Sequence, residues 1–522
     1  MGTPSGGQLP RAQAVARGSG ADILLTAAVG LVALALYTAT LAPGLLWGGG
    51  DFAKFQTFAF LGYVEGKITV MAHMLWVLLA HPFTWLPIRD PAWRANFSSA
   101  VFASLALVFF FRAARYLTRS TVAALLATGA LAVSHTFWSY AVVPKVYSLN
   151  ALMLAACVYL LLRWRQTGRD RLLYTFAFLY GVSFLNHLVM STAAAGFALF
   201  IGSTLRARPE PSRIWVPLVI TAACFSVGLS PYVYAVFQSG AAAGTGDTIV
   251  KSLTGLAYPL IHPTALLRGT EWGVALGVYQ FPVTTIVGGV GLWTLWRRDA
   301  LVAGMIALAI LGATAFMFCI LGPDASAGPD YVWNLHFYLP AYIAFALLLA
   351  PGFEVMLTRW SERTGVVYAI CGVVALGVPP LLYATAPAVA RRVMHNVPDF
   401  RPLPGRDNFT YALSPWKHHE TGARALTEQI LRAVPHNGVL FADYGLWTMI
   451  HYCQVVEGAR SDVEAVMLPL PHEHAQAPLI WRYRNRPNLF LADTYRYYNL
   501  DAIQEHFDLV PVPPIYRLVP KP

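Results

Sequence analysis

The chain is short of charge. Only 12% of its 522 residues are Asp, Glu, Lys or Arg, while 57% are hydrophobic. Soluble domains hold roughly 45–50% apolar and about 25% charged residues. Cysteine is scarce too, with five in all. Cys157, Cys224, Cys319 and Cys371 fall in apolar runs and Cys453 stands alone in the tail, so neither a disulfide framework nor a zinc-ligand spacing is available. No glycine-rich loop ends in Lys followed by Ser or Thr, which removes nucleotide-driven P-loop chemistry. The centres of the long apolar runs carry no charge, and no halves related by repeat are visible. Both absences argue against an ion-coupled transporter.

What the chain has is a series of apolar runs of about 20 residues, the length that crosses a bilayer, and a mean hydropathy of +0.52. The net charge of +11 does not point to nucleic acid, because most arginines lie in short connections between apolar runs. Eleven spans are expected, at about 22–42, 97–117, 121–141, 147–163, 172–188, 190–205, 214–237, 280–296, 300–321, 337–352 and 365–386. Arg112, Arg115 and Arg119, then Arg163 to Arg171, then Arg206 to Arg213, then Arg297 and Arg298, then Arg359 and Arg363 fill alternate connections. By the positive-inside rule those connections are cytoplasmic. The flexible tail 1–21 is then cytoplasmic as well, and everything after about 387 lies on the outer side. Segment Ile23–Leu41 is too long for the apolar core of a cleavable signal and reads as an anchor. The expected location is a bacterial inner membrane.

The first outer loop, 43–96, contains a second apolar stretch, Ile68–Leu86. A crossing there would invert every later loop, so it reads as an interfacial or re-entrant helix carrying His73 and His81. From about 388 to 522 charge rises and long apolar runs cease. Ala423–Val434 has helical periodicity, Gly438–Ala442 reads as a buried strand, Leu446–Val456 as a helix, and Val463–Met467 and Asn488–Ala492 as strands. The expected architecture is an all-α polytopic membrane domain over 22–387 with a small extracytoplasmic α/β domain.

The first span is followed by WGGGDFAKF, Trp47 to Phe55. Three glycines deliver one carboxylate, Asp51, to the membrane edge. Asp51 could cap the helix beginning at Phe52, or act as general base on an acceptor hydroxyl; the two roles are compatible.

Several blocks carry a resemblance. APGLLWGGGDFAKF is followed by PAWRAN (Pro91–Asn96) and Ser99-Ala100, then SHTFWSYAVVPKVYSLNAL, then GVSFLNHL (Gly181–Leu188), then YLPAY (Tyr338–Tyr342), and in the tail GVLFADYGLWTMIHYCQVVEGARSDV. In this order they resemble a bacterial polytopic membrane family of formerly unknown function, related to protein O-mannosyltransferases within the GT-C class of glycosyltransferases. The resemblance implies transfer of a sugar from a polyprenyl-phosphate carrier to a protein or glycan acceptor on the outer face, with an acid of the first outer loop at the reaction centre. Asp51 takes that place. No cofactor and no nucleic acid are implied.

The departures are charge reversals. Where the family has Glu three residues after its Asp, this chain has Lys54, and where it has AEVY this chain has Pro144-Lys145-Val146-Tyr147. A metal held by three carboxylates no longer fits, because the two ammonium groups would repel it. Two readings stay open: Lys54 and Lys145 grip a donor phosphate or acidic sugar, or the chain is an inactive relative serving surface-polysaccharide or glycoprotein assembly. Tyr147, the last residue of that stretch, is a further candidate for substrate binding. His73 takes the place of a family histidine, and Arg94 is a candidate for phosphate or for the headgroup region. His187, in the NHL block, is a candidate for substrate binding by the resemblance, although a histidine at a span end is more often a hydrogen-bonded structural residue. His472-Glu473-His474 lacks a third ligand. Asp443, after a strand end, reads as a turn cap.

Overall fold

The computed structural model describes residues 20–48, 51–64, 73–208, 214–243, 277–321, 335–360, 364–395, 397, 401–469 and 475–521. Gly49, Gly50, Glu65 and the His472–His474 triplet lie outside them. The chain forms two compact units, one comprising Met1–Leu36, Phe102–Ser134 and Leu149–Pro379, the other Tyr37–Val101, His135–Ser148 and Pro380–Pro522.

The elements in chain order are α1 Gly20–Ala39, α2 Phe52–Leu61, α3 Met74–Ala80, α4 Pro91–Leu117, α5 Thr121–Ala132, α6 His135–Ala141, α7 Tyr147–Thr167, α8 Asp170–Ser183, α9 Ala194–Arg206, α10 Trp215–Ala243, α11 Thr284–Arg298, α12 Ala300–Leu321, α13 Leu339–Arg359, α14 Thr364–Gly372 and α15 Val378–Val393. A helix stands at each of the eleven expected spans. Among the described residues seven are long and apolar enough to cross a membrane, and an eighth if α5 and α6 count together. Of the others, α8 has 14 residues and α11 has 15, about 21 and 23 Å against a hydrocarbon core of about 30 Å. The protein is an integral membrane protein.

In the first unit, small residues let helix backbones touch. A Cβ on Gly181 would lie 2.4 Å from Phe225 O, and one on Gly228 would lie 2.3 Å from Phe178 O, so α8 and α10 cross at van der Waals contact. Asn186 of the NHL block donates to Asn150 of the LNAL block. The arginine-rich ends are joined by ion pairs. Arg112 meets Asp22, Arg165 meets Asp299, Arg208 meets Asp170, and Arg298 meets Glu354.

The described part of the apolar stretch after α2 is α3, seven residues long, continued by a 3-10 segment His81–Trp85. These twelve residues reach about 18 Å at helical rise, short of the hydrocarbon core. The His81 ring anchors this hairpin back onto the end of α2 through Ala59 O at 2.9 Å.

The tail adds α16 Asn408–Leu413, α17 Gly422–Ala433, β1 Val439–Ala442, α18 Tyr444–Glu457, β2 Glu464–Met467, α19 Gln476–Trp481, β3 Leu489–Leu491, α20 Leu500–Gln504, β4 Phe507–Val512 and β5 Ile515–Pro520. The sheet order is β2-β1-β3-β5-β4. β1 pairs parallel with both β2 and β3, while β5 runs antiparallel to β3 and β4. The sheet has two more strands than the sequence suggested. Pro511, Pro513 and Pro514 break the strand pattern there, and β4 tolerates Pro511 because it is an edge strand. The central strands are apolar on both faces, as a sheet covered on both sides requires. Leu440, Ala442 and Phe490 face a core that also takes in Leu45, Ala53 and Ala92, whereas Val439, Phe441 and Leu491 face a second core with Ile480 and Phe507.

Candidate active site

The base of the first loop is held by buried amides. Asn96, of the PAWRAN block, donates to Ala42 O at 3.0 Å and accepts from Gln56 at 2.9 Å, while Gln56 also donates to Gly44 O at 3.0 Å. These bonds fix the start of α4 and one face of α2 against the incoming strand of chain. Asn96 is wholly buried, so its Asn-Phe-Ser triplet is not a glycosylation site in the folded protein.

Asp51 occupies the residue before α2 with φ 62° and makes no side-chain cap bond. A left-handed φ is uncommon outside glycine, and here it turns the carboxylate away from the helix end. Oδ2 accepts from Lys145 Nζ at 2.9 Å, and Oδ1 accepts from the Tyr444 hydroxyl at 2.5 Å. The Asp51 side chain remains 38% exposed and that of Lys145 only 13%. The Lys145 ammonium also lies 5.0 Å from the centre of the Phe55 ring, and Phe55 in turn lies 5.7 Å from the His73 ring. Lys54, in the first turn of α2, places its ammonium 5.7 Å from the Phe58 ring and 5.9 Å from the Tyr444 ring. No carboxylate lies within ion-pair distance of Lys54 among the described residues.

The electrostatics follow from these contacts. Burial alone would raise the Asp51 pKa, but the Lys145 charge, the bonds from Tyr444 and Lys145, and the Lys54 charge outweigh it and bring it down to about 2. Burial lowers the Lys145 pKa, and its partner Asp51 offsets only part of that. The Tyr444 phenol is pushed up by burial and by the neighbouring carboxylate.

Tyr444 is aimed by a second layer. Asp443, at the carboxyl end of β1, caps α18 by accepting from Gly445 N at 2.9 Å. The turn-cap reading of Asp443 therefore holds. Its other oxygen accepts from Arg401 at 2.8 Å and from the Tyr498 hydroxyl at 2.9 Å. Arg401, 2% exposed, also reaches Asp493 at 3.2 Å. The rings of Trp47, Tyr495 and Tyr497 lie 5.1 to 5.3 Å from its guanidinium. Gly48 makes this possible. A Cβ there would sit 2.0 Å from Thr448 Oγ1 and 2.2 Å from Gly445 O, so the glycine serves close approach of the loop to α18.

Among the candidates read from sequence, Asp51, Lys54 and Lys145 come together, with His73 joined to them through Phe55. Tyr147 starts α7 two residues after Lys145, buried with its ring 4.9 Å from that of Tyr140. Arg94 makes its contacts elsewhere: it donates to the carbonyls of Ile88, Thr84 and Arg89 at 2.8 to 3.1 Å and clamps the loop before α4. His187 belongs to the other unit, where its ring accepts from Val189 N at 3.0 Å. Among the described residues no cluster of three or more metal-ligating side chains exists. Tyr444, Arg401 and Trp47 escaped the sequence reading. The one available signal was the position of Tyr444 at a strand-to-helix turn, where ligand contacts concentrate in α/β folds.

Residues 73–208 match the family model of the Protein O-mannosyl-transferase TMEM260 N-terminal domain. Protein O-mannosyl-transferase TMEM260 of Mus musculus is 27% identical over 239 residues, covering 45% of this chain and 32% of that protein. The chain thus spans about a third of the length of the curated relative it matches. Among solved structures, ArnT from Cupriavidus metallidurans bound to undecaprenyl phosphate superposes with a TM-score of 0.56 at 14% identity, covering 96% of this chain and 98% of ArnT. The fold is GT-C-like. The arabinofuranosyltransferase AftD from Mycobacteria is also similar, with a TM-score of 0.51 at 13% identity over 94% of this chain and 37% of its own. The resemblance to O-mannosyltransferase-like GT-C proteins seen in the sequence stands.

Proposed function

We propose that the chain is a membrane glycosyltransferase that moves a sugar from a polyprenyl-phosphate carrier to a hydroxyl acceptor. The observation that carries this reading is the Asp51 carboxylate set beside two lysines on a GT-C fold. ArnT, of the same fold, is known bound to undecaprenyl phosphate. The two lysines supply the positive charge that a phosphodiester donor and its phosphate leaving group need. In the step, the acceptor oxygen forms a bond to the sugar's anomeric carbon. The bond from that carbon to the phosphate oxygen breaks, with its electron pair staying on the phosphate. The acceptor's proton passes to Asp51, and polyprenyl phosphate leaves against Lys145 and Lys54.

A carboxylate with a pKa near 2 is a weak base. Donor phosphate drawing Lys145 away removes the largest influence that holds it down, so Asp51 gains basicity as the donor seats. Reaction on the outer face, with the N-terminus cytoplasmic and the α/β portion 388–522 extracytoplasmic, is supported by the alternation of arginine-rich connections. The α/β portion would present or select the acceptor, while Arg94 and His187 support the surrounding backbone.

The same ion pair favours a second reading, a non-catalytic relative that binds a lipid-linked sugar for an assembly partner. One experiment separates the two. Purified protein in nanodiscs is given undecaprenyl phosphomannose and a membrane acceptor fraction, and consumption of the lipid-linked mannose is followed for wild type and Asp51→Asn. The enzymatic reading expects consumption by wild type and a loss of at least a hundredfold in the variant. Binding without consumption, or consumption undiminished by Asp51→Asn, removes it.

A further inference from the structure

In a sheet whose connections leave a central parallel strand in opposite directions, ligands collect at the carboxyl ends beside that strand. Here β1 is that strand, with β2 on one side and β3 on the other. The chain fills the crevice itself. Asp443 follows β1, Asp493, Tyr495 and Tyr497 follow β3, and Arg401 bridges the two groups with Trp47 over Gly445. One side chain from this edge faces the other way. The Tyr444 hydroxyl donates to Asp51 Oδ1 at 2.5 Å, and its ring lies 5.9 Å from the Lys54 ammonium.

We propose that Tyr444 is a positioning residue for the transfer reaction, an inference that rests on Asp51 being the proton acceptor. A carboxylate at a half-exposed loop end has two equivalent oxygens and free rotation. Tyr444 takes Oδ1 and so reserves Oδ2, the oxygen paired with Lys145 at 2.9 Å. When donor phosphate draws Lys145 off, Oδ2 is the oxygen left facing the acceptor hydroxyl, already oriented. The Asp443 cap, locked by Arg401 and Tyr498, holds the first turn of α18 so that this aim does not drift. The α/β portion therefore completes the reaction centre from 393 residues away in sequence.

The test is Tyr444→Phe, which keeps the ring beneath Lys54 and removes only the hydroxyl. With undecaprenyl phosphomannose as donor, kcat is expected to fall about 10- to 100-fold, the scale of a misplaced reacting group, with the KM for donor within about twofold and the melting temperature unchanged. Because the hydroxyl acts only through Asp51, the Asp51→Asn/Tyr444→Phe double variant is expected to be no slower than Asp51→Asn alone. The infrared difference spectrum of wild type minus Asp51→Asn isolates the Asp51 carboxylate stretch, and Tyr444→Phe is expected to shift that band. Several results overturn the proposal. One is a Tyr444→Phe rate equal to wild type while Asp51→Asn is inactive, which leaves the transferase reading standing. Another is full additivity in the double variant, the behaviour of a merely structural residue. An unshifted carboxylate band counts against it equally. Undiminished transfer by Asp51→Asn removes the transferase reading itself and this inference with it.

Discussion

Gly48→Ala is the sharpest probe of how the proposed reaction centre is assembled. The added methyl would meet backbone, since Gly445 O lies 2.2 Å from the ideal Cβ position, and Thr448 Oγ1 lies at 2.0 Å. The threonine hydroxyl can rotate, but the carbonyl is fixed in the first turn of α18. Trp47–Gly48 must therefore retreat by about 1 Å to reach ordinary van der Waals separation. Asp51 follows three residues later and is tied to this segment by its N–H to Gly48 O bond of 2.8 Å. A retreat of that size stretches the 2.5 Å bond to Tyr444 to about 3.5 Å, past hydrogen-bond range. Overpacking of this kind costs about 1–3 kcal/mol, and a reacting group moved by 1 Å costs about a hundredfold in rate. Thermal unfolding in detergent and mannose consumption from undecaprenyl phosphomannose read the two effects. Gly202→Ala, where nothing lies within 4 Å of the new methyl, serves as the control and is expected to be neutral. Gly48→Ala with the melting temperature and rate of wild type would falsify the claim that this glycine exists to let the loop touch α18.

The remaining predictions concern charge. Arg401→Met leaves Asp443 and Asp493 without their buried partner and is expected to cost about 3–5 kcal/mol in denaturant unfolding; a loss below 1 kcal/mol contradicts the locking role assigned to it. Asp51 has a folded pKa near 2, below the unfolded value of about 3.9. Its contribution is therefore present above about pH 4 and is lost as pH falls toward 2. Because 38% of its side chain is exposed, solvent screening keeps that contribution small. The melting difference between wild type and Asp51→Asn is expected to be flat above pH 5 and to shrink below pH 4. Lys145→Met is expected to move that window upward, and a window unmoved by it rules out Lys145 as the dominant charge on Asp51.

Much of the fold was legible because its causes are local. Runs of about 20 apolar residues name a bilayer span whatever they pack against, and a helix stands at each of the eleven places expected. Arginine-rich connections marked the helix ends that ion pairs with Asp22, Asp170, Asp299 and Glu354 now join. In the tail, Ala423–Val434 and Gly438–Ala442 carried the periods of a helix and a buried strand, and Gly422–Ala433 and Val439–Ala442 answer to them. The β4–β5 hairpin was illegible because its prolines erase the alternation on which strand reading depends.

The sequence by itself determined the membrane class, the GT-C resemblance, and a loop delivering Asp51 with lysines in place of acids. Only the tertiary structure decided what that carboxylate touches, because its partners come from Lys145, 94 residues on, and Tyr444, 393 residues on. Local pattern made Asp51 a plausible helix cap. A left-handed backbone at Asp51 and a glycine pressed against α18 instead turn its oxygens outward to a lysine and a phenol, and no short-range propensity records contacts made at that distance along the chain.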